Sequence, residues 1–276
     1  MTAITTETSS KTRGQATPLR LFALRGLIGW ILPFVIVVVW EALSRIGVIT
    51  ENVLPAPSAV LKAGWQLLLS GELIHNIATS TRRTLIGFVI GGGFGLVFGL
   101  ANGLWVRARD ITDTTLQMVR NIPHLALIPL VIVWFGIGEE AKIFLVALGV
   151  FFPIYVNTLL GIQGIDPQLI EMGRIYGMRP ARLFWRVILP GALPAIFTGL
   201  RYALGIMWLT LIVAETIAAN SGLGYMAMQA REFMQIDIVV LSIVIYALLG
   251  KLADSLARLL ESLSLQWHPA FQRKEA

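Results

Sequence analysis

Residues able to do covalent chemistry are few and scattered in this chain. The three histidines, His75, His124 and His268, share no ligand spacing, and there is no His-Glu-x-x-His run; metal binding is not expected. No Ser/His/Asp arrangement and no carboxylate pair placed for acid–base work emerges, so no catalytic residue is expected. The sequence has no cysteine, which excludes disulfides, thiolate metal sites and thiol nucleophiles. It also lacks the Gly-x-x-x-x-Gly-Lys-[Ser/Thr] loop that cradles nucleotide phosphates. What remains is a set of polar groups inside apolar runs: Asn121, His124, Asn157, Thr158, Arg201 and Glu215. Such groups are costly at membrane depth and face a partner helix or a cavity. Two uses are open for Asn121, Asn157 and Thr158: an interhelical hydrogen bond or the lining of a path. His124 follows Asn121 by three residues and shares its helix face. Arg201 is expected to snorkel to an interface, and Glu215, near a helix end, to be solvated.

The elements that must position these groups are membrane helices. The chain has 276 residues, 56% hydrophobic and 14% charged, with mean hydropathy +0.74; a soluble domain carries about 25% charged residues. A net charge of +6 reads as cytoplasmic-loop anchoring. Nucleic-acid binding is not expected, because no basic patch is interleaved with stacking aromatics. A bilayer core takes about 20 apolar residues of helix. Candidate spans are Gly26–Ser44, Leu85–Leu104, Asn121–Gly138, Ile143–Ile165 and Leu193–Ala214. Ile238–Gly250 becomes a sixth if it extends to Leu256 or begins near Phe233.

Six spans with the N-terminus inside place 14 of the 22 Lys and Arg in inner loops (1–25, 105–110, 163–190 and from 251 on) and 6 in outer ones (45–83 and the turns near Lys142 and Arg231), which satisfies the positive-inside bias. The resulting division is a cytoplasmic, disordered tail 1–26, a first span 27–46, a periplasmic segment 47–81, a transmembrane core 82–264 and a cytoplasmic tail 265–276. Leu54–Ser58 reads as a turn with an N-cap at Ser58, followed by a surface helix over Ala59–Ser70 with Trp65 at the interface. Gly87, Gly91, Gly95, Gly99 and Gly103 recur every four residues, a spacing that lets another helix approach closely. Pro33, Pro123, Pro129 and Pro153 lie in apolar runs and can kink them. No internal repeat is visible.

One stretch is polar amid this oil: residues 164–190, with Arg174, Arg179, Arg182 and Arg186. Asp166 and Pro167 suit a helix start. Leu169, Met172, Ile175 and Tyr176 then fall on one face, and Gly177 can end the helix with a positive φ. Arg179, Arg182 and Arg186 give a second short helix a basic face, after which Pro190 and Pro194 restart the chain into the next span. Two readings stay open on these residues alone: a knob that docks another protein, or an amphipathic helix lying on anionic lipid.

The stretch resembles the signature of ABC importer permeases, Glu-Ala-Ala-x-x-x-Gly with Ile-x-Leu-Pro further on. Glu171, Gly177, Leu189 and Pro190 match in register, Val187 replaces the isoleucine, and Met172 and Gly173 stand where the family has alanines. Gly173 is expected to loosen the helix by about 1 kcal/mol. The resemblance runs from Ile74 to Trp267. It is carried by Arg120–Leu130, Trp134–Ile137, Ala141–Phe144, Ile188–Pro194, Trp208–Thr216 and Ser221–Tyr225, and is closest to permeases for aliphatic sulfonates. It implies an all-α, six-span, type I importer fold whose cytoplasmic coupling helix, with Glu171, Met172, Gly173, Gly177, Leu189 and Pro190, sits on an ATPase.

The implied partners are two ABC ATPase subunits, a second permease copy in a homodimer, a periplasmic solute-binding protein and membrane lipid, in a bacterial inner membrane. ATP and magnesium belong to the ATPase, with no cofactor on this chain. The implied translocation path holds Asn121, His124, Asn157, Trp208 and Glu215. A taurine or nitrate permease is the neighbouring reading. A secondary transporter is the reading from another class, although mid-span ionisable residues are few and no repeated halves are seen.

Overall fold

The computed structural model describes residues 18–266, with side chains from residue 31 onward except that of Ala218. The expected tails over 1–17 and 267–276, and His268, lie outside the described residues. Every regular element among the described residues is helical. In chain order they are α1 (Pro18–Arg45), α2 (Pro57–Leu69), α3 (Glu72–Leu104), α4 (Val106–Arg120), α5 (Ile128–Phe135), α6 (Glu139–Gln163), α7 (Pro167–Ile175), α8 (Pro180–Leu183), α9 (Leu189–Ala218), α10 (Leu223–Glu232) and α11 (Ile236–Ser264). Four helical segments are long and apolar enough to cross a membrane: Glu72–Leu104, Glu139–Gln163, Pro180–Ile217 and Ile236–Ser264. A bent pair, Val106–Arg120 with His124–Phe135, makes a fifth if it counts as one span.

The described residues up to Ser58 and those from Ala59 on form two compact units. In the first, α1 exposes Leu32, Phe34 and Ile36, as a helix solvated by lipid does. Glu41 on α1 accepts from the Ser58 backbone N–H at 3.0 Å and from its hydroxyl at 2.9 Å. Thus Ser58 is not the cap expected of it. The helix begins at Pro57, and the Glu41 carboxylate takes the orphan donor in the first turn.

The second unit is organised by α3, α6 and α9. Four of the five spaced glycines bring α3 close to α6: Gly91 and Gly95 face its backbone, and Gly87 and Gly99 face the Val146 and Thr158 side chains. A Cβ on Gly95 would lie 2.6 Å from the Phe151 carbonyl, and one on Gly91 would collide with the backbone of Ala147. Gly103 repeats the pattern against Ile162, at 2.7 Å. Val146, Val150, Ile154, Met207 and Leu211 fill the interior beside this contact.

Four expectations need correction. The run Asn121–Gly138 is not one helix: a 3₁₀ turn over His124–Leu127 leads into α5, and the chain bends by 80° against α4. Pro123 precedes the turn and Pro129 opens α5; each lacks the N–H that a continuous helix would use. Trp105–Asp110, read as a loop, instead opens α4 at Val106. Pro190 and Pro194 do not restart the chain, since Pro180–Ile217 runs on as one segment. A π-helical turn over Phe184–Ile188, where the Leu189 N–H reaches the Phe184 carbonyl, absorbs the break ahead of Pro190. Finally, α3 starts at Glu72, inside the segment read as a loop. The sixth candidate, short as an apolar run, extends over 29 residues in α11.

Candidate functional site

Three places concentrate the polar groups, and the first is the stretch between α6 and α9. The Asp166 carboxylate accepts from the Gln168 N–H at 2.9 Å and caps α7. The other end closes with Gly177 at φ +71°. There the Met178 N–H reaches the Gly173 carbonyl at 3.0 Å and the Gly177 N–H reaches Arg174 at 2.9 Å. This paired closure satisfies the last carbonyls of α7 and needs the left-handed conformation that glycine adopts without strain.

Gly173 is buried, and a Cβ there would stand 2.6 Å from Leu183 Cδ1. The departure from alanine therefore does more than loosen α7: it makes room for Leu183 and lets α8 pack close. Ile175 (84%) and Tyr176 (77%) are the most exposed apolar groups of this stretch, joined by Leu169 and Met172. Glu171, Arg179, Arg182 and Arg186 are exposed, while Leu189 and Pro190 are half-buried at the start of α9. The result is an apolar ridge beside cations, on a support fixed at both ends.

The second place is an ionic cluster joining α3, α6, α9 and α10. Arg83 is 2% exposed and Glu215 0%. The Arg83 Nη1 donates to Glu215 Oε1 at 2.7 Å and to the Ser221 carbonyl at 2.6 Å; its Nε donates to Glu139 Oε2 at 2.7 Å. Its Nη2 reaches Ser221 Oγ at 3.0 Å and the other Glu139 oxygen. Glu215 also accepts from Ser80 Oγ at 2.9 Å, the Gly224 N–H at 2.9 Å and Tyr246 Oη at 3.1 Å. Gly222, at φ +110°, leaves no room for a Cβ beside the Glu215 carboxylate, and Asn76 holds its N–H at 2.8 Å. Glu215 is therefore not solvated. Arg83, counted from sequence as an outer-loop charge, is its buried partner. Two adjacent arginines before an apolar run were the only sign of this.

The third place is a cleft of about 340 Å³ at the bend after α4, lined by Arg120, His124, Phe152, Val156, Asn157 and Tyr202 among others. His124 Nε2 shares a hydrogen bond with Thr210 Oγ1 at 2.9 Å. Gly149 gives this pair its space, since a Cβ there would lie 3.0 Å from the Thr210 oxygen and 3.2 Å from the His124 nitrogen. Asn157 Nδ2 donates to the Pro153 carbonyl of its own helix at 2.8 Å, so it makes no interhelical bond. Asn102 links α4 to its neighbours by donating to Thr112 Oγ1 at 2.7 Å and Tyr155 Oη at 2.9 Å.

Of the five polar groups expected along a path, His124 and Asn157 thus meet in this cleft. Asn121 is exposed beside it at the bend. Trp208 and Glu215 lie apart from the cleft in the core, Trp208 with a ring centroid 6.0 Å from that of Tyr246. Arg201 meets Asp254 at 3.3 Å and Glu261 at 3.5 Å on α11. Among the described residues no group of three or more His, Asp or Glu could hold a metal ion.

Residues 91–263 match the family described as binding-protein-dependent transport system inner membrane component. A protein of Escherichia coli (strain K12) described as an aliphatic sulfonates transport permease, SsuC, is 58% identical over 261 residues, covering 95% of this chain and 99% of its own. The protein of the same description from Bacillus subtilis (strain 168) is 44% identical over 88% of each chain. The taurine transport system permease TauC of Escherichia coli (strain K12) is 37% identical over 86% of this chain and 88% of its own. Among solved structures, an amino acid ABC transporter aligns over 71% of this chain and 95% of its own with TM-score 0.58 at 20% identity, a likeness of fold.

Proposed function

This chain belongs to the family of binding-protein-dependent transport system inner membrane components, and from that premise we propose that it is the permease subunit of an ATP-driven importer of aliphatic sulfonates. The observation that carries the substrate is the 58% identity, over 95% of the chain, to a protein described as an aliphatic sulfonates transport permease. The taurine permease is more distant, at 37%.

In this reading α1 and the bent α4–α5 segment complete six spans, with both chain ends and the stretch 164–190 on the cytoplasmic side. Two copies of the chain pair, a solute-binding protein delivers substrate outside, and two ATPase subunits bind the stretch 164–190 inside. ATP and magnesium act on those subunits. The exposed ridge of Leu169, Met172, Ile175 and Tyr176, fixed by the Asp166 cap and the Gly177 closure, supports docking into an apolar groove. Glu171, Met172, Gly173, Gly177, Leu189 and Pro190 carry the coupling. ATP drives the cycle because it binds the two arrangements of the assembly with different affinity. Asn121, His124, Asn157, Trp208 and Glu215 belong to the moving path, with His124 and Asn157 at the cleft.

Uptake of an alkanesulfonate by cells lacking their own importer, supplied with this chain and its partner subunits, tests the reading. Wild type is expected to restore uptake. A Gly177→Pro variant, whose ring cannot take φ +71°, is expected to insert in the membrane normally and to lose uptake. Normal uptake by that variant removes the coupling role from this stretch.

A further inference from the structure

The cleft at the α4–α5 bend holds a charge with no counter-charge. Three cations of the apolar helices are matched: Arg83 meets Glu215 and Glu139, Lys142 meets the Gly138 carbonyl, and Arg201 meets Asp254 and Glu261. Arg120, at the last residue of α4, makes no hydrogen bond or ion pair with any described residue. It is nonetheless no terminal-loop cation. The cleft it lines is built from Gly149–Asn157, the middle of α6, and from Tyr202 and Ile206, the middle of α9. Arg120 is exposed to the opening of this cleft, so its guanidinium is available beside the middle of two membrane helices, where polar groups mark ligand paths.

The other polar groups narrow what can bind. His124 is committed through Nε2 to Thr210, and Asn157 has turned its amide donor onto the Pro153 carbonyl. The groups with no described partner at all are the Arg120 guanidinium and the hydroxyl of Tyr202, which is 65% exposed. Both favour an acceptor, and the guanidinium favours an anion with several oxygens in a plane or tripod, which its fork of N–H groups can hold with two parallel bonds. Phe152, Val156 and Ile206 supply the remaining, apolar lining. A volume of about 340 Å³ falls at the small end of the roughly 300–1,000 Å³ typical of small-molecule sites.

We propose that Arg120 and Tyr202 form an anion subsite for the sulfonate head of the transported molecule, with Phe152, Val156 and Ile206 receiving its alkyl chain. The subsite rests on the reading of this chain as a sulfonate permease. His124 and Asn157 are positioning residues in it: each is anchored by one hydrogen bond, to Thr210 and to the Pro153 carbonyl, and they shape the cleft. One guanidinium and one hydroxyl bind weakly enough for the anion to leave, as a transport path requires.

The test uses the complete transporter, with ATPase subunits and binding protein, reconstituted in liposomes. Uptake of pentanesulfonate and stimulation of ATP hydrolysis by the loaded binding protein are measured together. Arg120→Gln is expected to lower uptake at least roughly tenfold, the scale of one charge-assisted hydrogen bond, while stimulated hydrolysis stays within about twofold as the sign of an intact, docked assembly. Arg120→Lys, which keeps the charge and loses the fork, is expected to fall between, and Tyr202→Phe to lose a few fold. Wild-type uptake by Arg120→Gln overturns the subsite and leaves the substrate reading standing. Loss of uptake and of stimulated hydrolysis together in both Arg120→Gln and Arg120→Lys also overturns it, because that makes Arg120 a structural cation. Failure of the wild-type assembly to take up pentanesulfonate or longer alkanesulfonates overturns the substrate reading first, and the subsite with it.

Discussion

Two arginines among apolar helices are used in opposite ways. Arg83 spends its donors on Glu139, Glu215 and Ser221 and is sealed from solvent. Arg120 spends none on a described residue and lines an open cleft. A buried charge is tolerable only when paired and hydrogen-bonded, so Arg83 works as a fastener: it ties α3 and α6 to α9 and to the loop that enters α10. Arg120 is exposed and unpaired, so it contributes little to stability and its guanidinium stays open to a ligand. Paired arginines therefore report on architecture, and the unpaired one reports on traffic.

That contrast can be broken at several points. Glu215→Leu leaves Arg83 buried and half-paired, and is expected to cost about 3–5 kcal/mol, read as a large drop in the melting temperature of the detergent-solubilised protein. Removing both charges in Arg83→Met/Glu215→Leu is expected to regain much of that loss, because a buried pair contributes less than its breakage costs; a thermodynamic cycle over the four proteins measures the coupling. A double variant no better than Glu215→Leu alone would mean that the hydrogen bonds to Ser221 and Gly224, not the pairing, hold this end together.

Gly173→Ala pushes a methyl onto the Leu183 side chain, and the overpacking, about 1–3 kcal/mol, is offset by about 1 kcal/mol of helix propensity, so a net cost of up to about 2 kcal/mol is expected, with Leu183→Ala relieving the clash in the same background. Thermal unfolding of the single and double variants beside wild type checks this, and an unaffected single variant shows that α8 yields freely. The smallest expected change in stability is in Arg120→Gln, within about 0.5 kcal/mol of wild type, against a marked loss of uptake. A melting temperature lowered as far as that of Glu215→Leu would erase the distinction between the two arginines.

Much of the frame is readable in one dimension. Apolar runs announce the helices, because lipid forbids unsatisfied backbone and leaves few ways to cross. The spacing of Gly87 to Gly103 announces a close helix contact, and Asp166 and Gly177 announce both ends of α7, because caps act within a few residues of the groups they satisfy. The bend at 121–123 was hidden because hydropathy records oiliness and carries no direction: Asn121–Gly138 is as apolar folded back as straight. The continuous segment from Pro180 was hidden because a π turn leaves no composition of its own.

The site was read less well than the frame. His124 and Asn157 were visible as polar groups in oil, but whether their donors were free could not be, since Thr210 lies 86 residues from His124. Glu215 and Arg83, 132 residues apart, illustrate the limit. Composition and local spacing settle that this is a helical membrane protein with a capped, exposed polar stretch, because those properties depend on each residue and its near neighbours. Which charges cancel and which stay open depends on what long-range packing brings within about 3 Å, and for Arg83 and Arg120 that packing alone separates a fastener from a binding group.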